Sequence, residues 1–129
     1  MKQLHLKVSI FVIVSISLIY GITPDKTLPL LFDFTIVTTD LKNIFRATMG
    51  LYLGIVVFWT IGIMQPKFWA AATITNICFM GGLATGRLMS ILIDGQPSIY
   101  FLVGFIVEVI FTFWGLINLK RHTDYLKME

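Results

Sequence analysis

The sequence predicts an all-α integral membrane protein, a single four-transmembrane-helix up-down bundle over residues 1–129. Three observations lead there. Charged side chains make up 13% of the chain against 57% hydrophobic, with a mean hydropathy of +0.85; this is about half the charge usual in a soluble globular domain. Four nearly uncharged runs each approach the roughly 20 residues that cross a hydrocarbon core of about 30 Å. Two links between those runs are short enough that successive helices must lie antiparallel. Disorder is excluded by the same composition, because a chain this apolar would not stay solvated.

The first run, Val8 to Pro24, carries no charge and lengthens if Lys7 snorkels to the interface. Lys2 and Lys7 ahead of it also suit a secretory signal peptide. Tyr20, Gly21, Ile22 and Thr23 are poor replacements for an A-x-A cleavage site, so an uncleaved helix is expected. The second run is Ala47 to Pro66, and the third is Phe68 to Gly86, extending past Arg87 to Ile93. The fourth, Gly95 to Leu119, is the longest and is broken only by Glu108. The spans are placed at 6–24, 42–65, 67–93 and 97–119.

Thr39 or Asp40 is placed to cap the second helix by accepting hydrogen bonds from N–H groups that lipid cannot satisfy. Gln65-Pro66-Lys67 and Asp94-Gly95-Gln96-Pro97 read as tight links, with proline tolerated in a first helical turn. The connection at 25–41 is long for a bundle loop and carries Leu28, Leu30, Leu31, Phe32 and Phe34 among Asp25, Asp33 and Asp40. It is expected on the non-cytoplasmic side, either lying on the bilayer surface or folded as a lid over the bundle mouth.

The net charge of +3 does not point to nucleic acid, since the ten Lys and Arg form no basic run or face. One cysteine, Cys78, allows no internal disulfide and no thiolate metal site. His5 and His122 lie at opposite chain ends, outside every apolar run, which excludes a bis-histidine haem in the membrane. No cofactor is expected. Trp59, Trp69 and Trp114 fall near the ends on the side of the termini and Tyr100 near the other, the positions of interfacial aromatics.

Charge inside the spans is the informative feature, because each Arg, Lys or Asp near a helix centre costs about 2.5 to 3.5 kcal/mol. At ~1.5 Å per residue from the non-cytoplasmic ends, Arg46 lies roughly 6 Å deep, Arg87 roughly 9 Å and Glu108 near 15 Å. All three occupy one half of the membrane, so a shared ion-pair network is sterically allowed. Gly104, Glu108, Thr112 and Gly115 form one small, polar stripe expected to face protein. Asn76, Met80, Leu83, Arg87 and Asp94 recur at helical spacing on the third helix, and Tyr52 reaches toward the same zone from the second. Gly50-x-x-x-Gly54 and Gly82-x-x-x-Gly86 read as intramolecular packing faces rather than dimer contacts, leaving a homo-oligomer open.

The stretch Asn43-Ile-Phe-Arg-Ala-Thr-Met-Gly-Leu-Tyr-Leu-Gly54, then Gly81-Gly-Leu-Ala-Thr-Gly-Arg-Leu-Met-Ser90 with Asp94-Gly-Gln-Pro97, then Glu108 ahead of Trp114-Gly115, resembles a bacterial family of small four-helix membrane proteins. The family is catalogued only as a domain of unknown function, four-three-four-five in its series. The resemblance covers nearly the whole chain and implies a four-span protein of the bacterial inner membrane with no established activity. The positions it carries over are Arg46, Arg87 and Glu108.

Three readings compete for this cluster: a salt-bridged core that fixes helix register, a pocket whose arginine excess holds a small anionic or amphipathic ligand or a lipid headgroup, and a carboxyl that exchanges a proton. The binding reading takes Arg46, Arg87, Glu108, Asp94, Tyr52 and Asn76 as its residues, with membrane lipid as a partner. The alternatives are a proton-coupled small-molecule transporter using Glu108, or an accessory subunit of a membrane redox complex. An enzyme ranks behind these, because no Ser or Cys nucleophile has a His base within the bundle and no metal-ligand set exists.

Orientation follows from the basic residues beside each span. With both termini in the cytoplasm, Lys2, Lys7, Lys67, Lys120, Arg121 and Lys127 lie inside, against Lys26 and Lys42 outside the other helix ends. A C-terminal alkaline phosphatase fusion is therefore expected to be inactive and a cytoplasmic reporter at the same position active; the reverse pattern contradicts the orientation.

Overall fold

The computed structural model of the protein describes residues 3–32 and 34–126, so Lys2, Asp33 and Lys127 of the sequence reading lie outside the described residues. The described chain forms α1 (Leu4–Gly21), α2 (Pro24–Leu31), α3 (Thr39–Met64), α4 (Trp69–Asp94) and α5 (Ile99–Leu126), with a 3-10 turn at Pro66–Phe68 leading into α4. It contains no strand among the described residues. Helices α1, α3, α4 with its leading turn, and α5 are each long and apolar enough to cross a membrane. A 26-residue helix such as α3 or α4 reaches ~39 Å at ~1.5 Å per residue, enough to cross a core of about 30 Å.

Helix ends follow local chemistry. Thr38, not Thr39 or Asp40, caps α3: its hydroxyl accepts from the Leu41 N–H at 3.2 Å. Asp40 sits in the first turn, where its charge complements the helix dipole. At the α4–α5 turn Gly95 has φ +97°, a left-handed conformation that a side chain resists. Helix α5 continues past Leu119 to Leu126; Lys120 and Arg121 mark where apolarity stops, whereas the backbone hydrogen bonding runs on.

Packing divides the bundle into two pairs. Helix α1 packs chiefly on α3 and α4 chiefly on α5; α3 and α4 join the pairs, and α1 touches α4 and α5 more lightly. The buried face of α1 is the stripe His5, Ser9, Ile13, Ser17 and Gly21, each four residues from the last. Helix α4 answers with Trp69, Thr73, Asn76, Met80 and Ala84. Tyr52, Val56, Trp59 and Phe111 complete the core.

The connection between α1 and α3 is partly helical and folds over one end of the bundle. Phe32 stacks on Phe101 of α5 at 4.5 Å between ring centroids and on Phe34 at 5.7 Å, and Phe34 stacks on Phe45 of α3 at 6.3 Å. Lys42 donates to Asp25 at 3.1 Å, tying α2 to α3. That hydrogen bond holds the Asp25 carboxyl below its ordinary pKa.

Two expectations are corrected. The GxxxG pairs do not pack within the chain: a methyl group at Gly50, Gly54, Gly82 or Gly86 would meet nothing within 4 Å. Trp59 and Trp69 are not interfacial but fully buried, with Trp69 edge-on to His5 at 6.1 Å and to His122 at 4.8 Å. The close helix approach occurs instead at Gly62, where an added methyl would collide with Ala72 of α4. Gly62→Ala should therefore lower the melting temperature in detergent. Gly82→Ala should leave it unchanged or raise it, by up to about 1 kcal/mol of helix propensity; an undiminished melting temperature for Gly62→Ala would contradict this packing.

Candidate functional site

Glu108 lies in the middle of an apolar helix, and α4 supplies its counter-charge. Arg87 Nε donates to both carboxylate oxygens of Glu108 at 2.9 Å each. The Arg87 side chain is 21% exposed and that of Glu108 7%, so the acid is the more deeply buried of the two and the base partly reachable. Antiparallel register makes the meeting: Gly104, one turn before Glu108 on α5, lies under the guanidinium, with the position a Cβ would take 3.6 Å from Arg87 Cζ. The small residue gives the cation room to lie flat against α5. Thr112 donates to the Glu108 backbone carbonyl at 2.8 Å, one of several hydroxyls that fold back onto their own helix.

Aromatic rings surround the pair. The Arg87 guanidinium sits 5.3 Å from the centre of the Phe101 ring, a distance at which a cation is drawn to the ring face. The Tyr20 hydroxyl is within interacting range of the guanidinium. Tyr52 is buried against Tyr20 and Phe79, with ring centroids at 6.2 and 5.0 Å, and lies within electrostatic reach of both Arg87 and Glu108.

A pocket opens on each member of the pair. One, of about 300 Å³, is lined by Gly86, Arg87, Ser90, Pro97 and Phe101. The other, of about 260 Å³, lies between α1 and α5 and presents Glu108 among Ile13, Ile16, Met80, Tyr100 and Gly104. The ion pair thus separates a space faced by the base from a space faced by the acid. A third, apolar groove of about 230 Å³ runs between α4 and α5, with Thr85, Leu88, Phe105 and Phe113 in its walls.

Of the six residues expected at one site, the structure brings together Arg87, Glu108 and Tyr52. Arg46 does not join them. It is exposed on α3, which packs on α1 and α4 and makes no comparable contact with α5. At that level the inward positions of α3 are taken by Phe45, whose ring meets Tyr20, and by Met49, which packs on Gly21. Depth alone had placed Arg46 beside the other charges; helical phase turns it away. Asp94 is exposed as well and accepts from Ser90 at 2.8 Å instead of pairing with Arg87. The expected excess of two arginines over one acid becomes a pair of one each. Tyr20 and Phe101 carried no sequence signal beyond being aromatic near the same helix ends.

Asn76 belongs to a second polar zone, nearer the chain termini. It is fully buried, with its Oδ1 3.8 Å from where a Cβ on Gly115 would lie. His5, read as lying outside the apolar runs, is instead in the core, its Nδ1 3.0 Å from Asn118 Nδ2. Ser9, Thr73 and Trp59 are buried in the same half of the bundle. The polar atoms of Ser9, Trp59, Thr73 and Asn76 have no hydrogen-bond partner among the described residues. Left dry, each such group costs about 1–3 kcal/mol, so that the four together weigh against a total stability of about 5–15 kcal/mol. Among the described residues no group of His, Cys, Asp or Glu is placed to hold a metal ion, and Cys78 is free and exposed.

Over residues 1–119 the chain matches the model of a family described as a domain of unknown function (DUF4345). No curated protein and no solved structure matches it.

The Arg87–Glu108 pair predicts its own mutant cycle. Glu108→Leu leaves Arg87 unpaired in a mostly buried position and should cost about 3 kcal/mol. The double replacement Arg87→Met with Glu108→Leu should recover most of that loss, as read from unfolding of the purified protein in mild detergent. Additive losses in the two single variants would mean that the pair does not hold α4 to α5.

Proposed function

The chain belongs to the DUF4345 family, and on that premise we propose that it is a multi-pass membrane protein that holds an amphipathic molecule by its polar, anionic end beside Arg87. One observation carries the reading. Arg87 uses its Nε on Glu108 while its side chain remains partly exposed in a pocket of about 300 Å³ that also contains Ser90 and Phe101. A guanidinium has five N–H donors in a fixed fork, so binding one carboxylate through Nε leaves Nη donors for another acceptor. Because the pair is neutral overall, recognition rests on oriented N–H groups rather than on excess positive charge. A carboxylate or phosphate headgroup fits those donors, and Pro97 and the Phe101 ring in the same pocket supply apolar contact beside it. The proposed setting is the bacterial inner membrane, with both termini cytoplasmic and the Arg87 end of the bundle facing outward.

The pocket that Glu108 faces supports a second reading, proton-coupled transport. Its carboxylate borders a space of its own between α1 and α5, away from Ser90 and Pro97. In a transporter, Glu108→Gln would abolish proton-driven substrate flux in vesicles while the protein still folded.

The binding reading is tested with the uncharged, polar double variant Arg87→Gln with Glu108→Gln, which removes both charges together. Phosphatidylglycerol added to the wild-type protein in neutral detergent should raise its melting temperature by several degrees more than phosphatidylcholine does. The double variant should remain folded and lose that difference. A difference of equal size in both proteins would overturn the assignment of the headgroup to Arg87.

A further inference from the structure

The second polar zone differs in kind from the first. Most hydroxyls on these helices are satisfied locally: Ser15, Thr48, Thr60, Thr85 and Thr112 each donate to the carbonyl four residues earlier. Ser9 and Thr73 do not, although both are fully buried. Each lies on the inward stripe of its helix, one turn beyond the contact between His5 and Trp69. Both helices lead away from that contact in the same direction, so four residues along each bring Ser9 and Thr73 to the same level, ~6 Å farther into the bundle. Asn76 follows Thr73 within one turn on the same face. From the antiparallel α3, Trp59 lies one turn inward of the place where Gly62 meets Ala72. Three helices therefore deliver two hydroxyls, a primary amide and an indole N–H to one short section of core.

We propose that Ser9, Trp59, Thr73 and Asn76 enclose a binding site for ordered water, separate from the Arg87–Glu108 pair. The donor and acceptor inventory selects the occupant. Trp59 Nε1 and Asn76 Nδ2 only donate, Asn76 Oδ1 only accepts, and the hydroxyls do either. An anion would leave Asn76 Oδ1 facing like charge, and a cation would oppose the indole and amide N–H groups. Water donates and accepts at once, and a buried water takes two to four such partners. Its boundaries are built: the contact between His5 and Trp69 lies on the side of the chain termini, and Met80, Val56 and Phe111 lie on the other. The bundle then has two polar compartments, one charged and one neutral and wet, divided by an apolar layer.

Water-edited solid-state NMR of the ¹⁵N-labelled protein in lipid bilayers tests this. Magnetisation from water should reach the Trp59 indole N–H and the Asn76 side-chain amide several-fold faster than it reaches the backbone amide of Met80 in the apolar layer. In the variant Thr73→Val with Asn76→Leu, the Trp59 indole signal should slow to the Met80 rate. Build-up at Trp59 and Asn76 no faster than at Met80 in the wild-type protein would overturn the proposal, and that wild-type comparison decides it even if the variant fails to fold. The readout is independent of any ligand at Arg87.

Discussion

A carboxylate in the middle of an apolar helix is tolerable only if something in the protein answers its charge, and Arg87 answers Glu108. Much of the α4–α5 half of the bundle is arranged around that pairing. The turn through Gly95, with its left-handed backbone, sets the two helices antiparallel and in register. Gly104 keeps the surface beneath the guanidinium low enough for the side chain to lie across α5. Phe101 faces the cation, and the stacked Phe32 and Phe34 extend that aromatic surface over the end of the bundle. The connection between α1 and α3 is thereby anchored to the helix that carries the acid, although it is far from Glu108 in sequence.

The remaining polar groups obey the same constraint by two other routes. Hydroxyls on the outer faces return their hydrogen bonds to their own helix backbone, which needs no partner and suits an apolar surrounding. Near the chain termini polar side chains turn inward instead: His5 meets Asn118 of α5 directly, whereas Ser9 and Thr73 have no hydrogen-bond partner among the described residues. Between the two zones, Met80, Val56 and Phe111 form an apolar layer of the core. The outcome is a bundle interior with one charged polar zone and one uncharged polar zone, each assembled from residues on at least two helices.

Several features that read as inward from the sequence turn out to face outward, and the error has one cause. In a soluble helix the buried face is the apolar face, so phase is visible in the pattern. In a helix surrounded by lipid, the outside is as apolar as the core, and that contrast disappears. Gly50, Gly54, Gly82 and Gly86 could equally have lain on a packed or an open face, and Arg46 could have turned either way. Trp59 and Trp69 sit where interfacial aromatics sit along the helix axis, yet their rings point into the core around His5.

What the sequence by itself determined was the number of helices long and apolar enough to cross a membrane, the turns between them, and the unusual standing of Arg87 and Glu108. These depend on the length of apolar runs, on turn residues and on depth along an axis, which are local or one-dimensional quantities. Only the tertiary structure decided which arginine meets the acid, that Asn76 and His5 belong to a separate zone, and that α2 and its following residues close over one end. Those outcomes depend on how each helix is rotated about its own axis and on which helices are neighbours. Side-chain shape and polar pairing between helices set that rotation, because apolar patterning has no gradient to work against where both sides of a helix are oil-like.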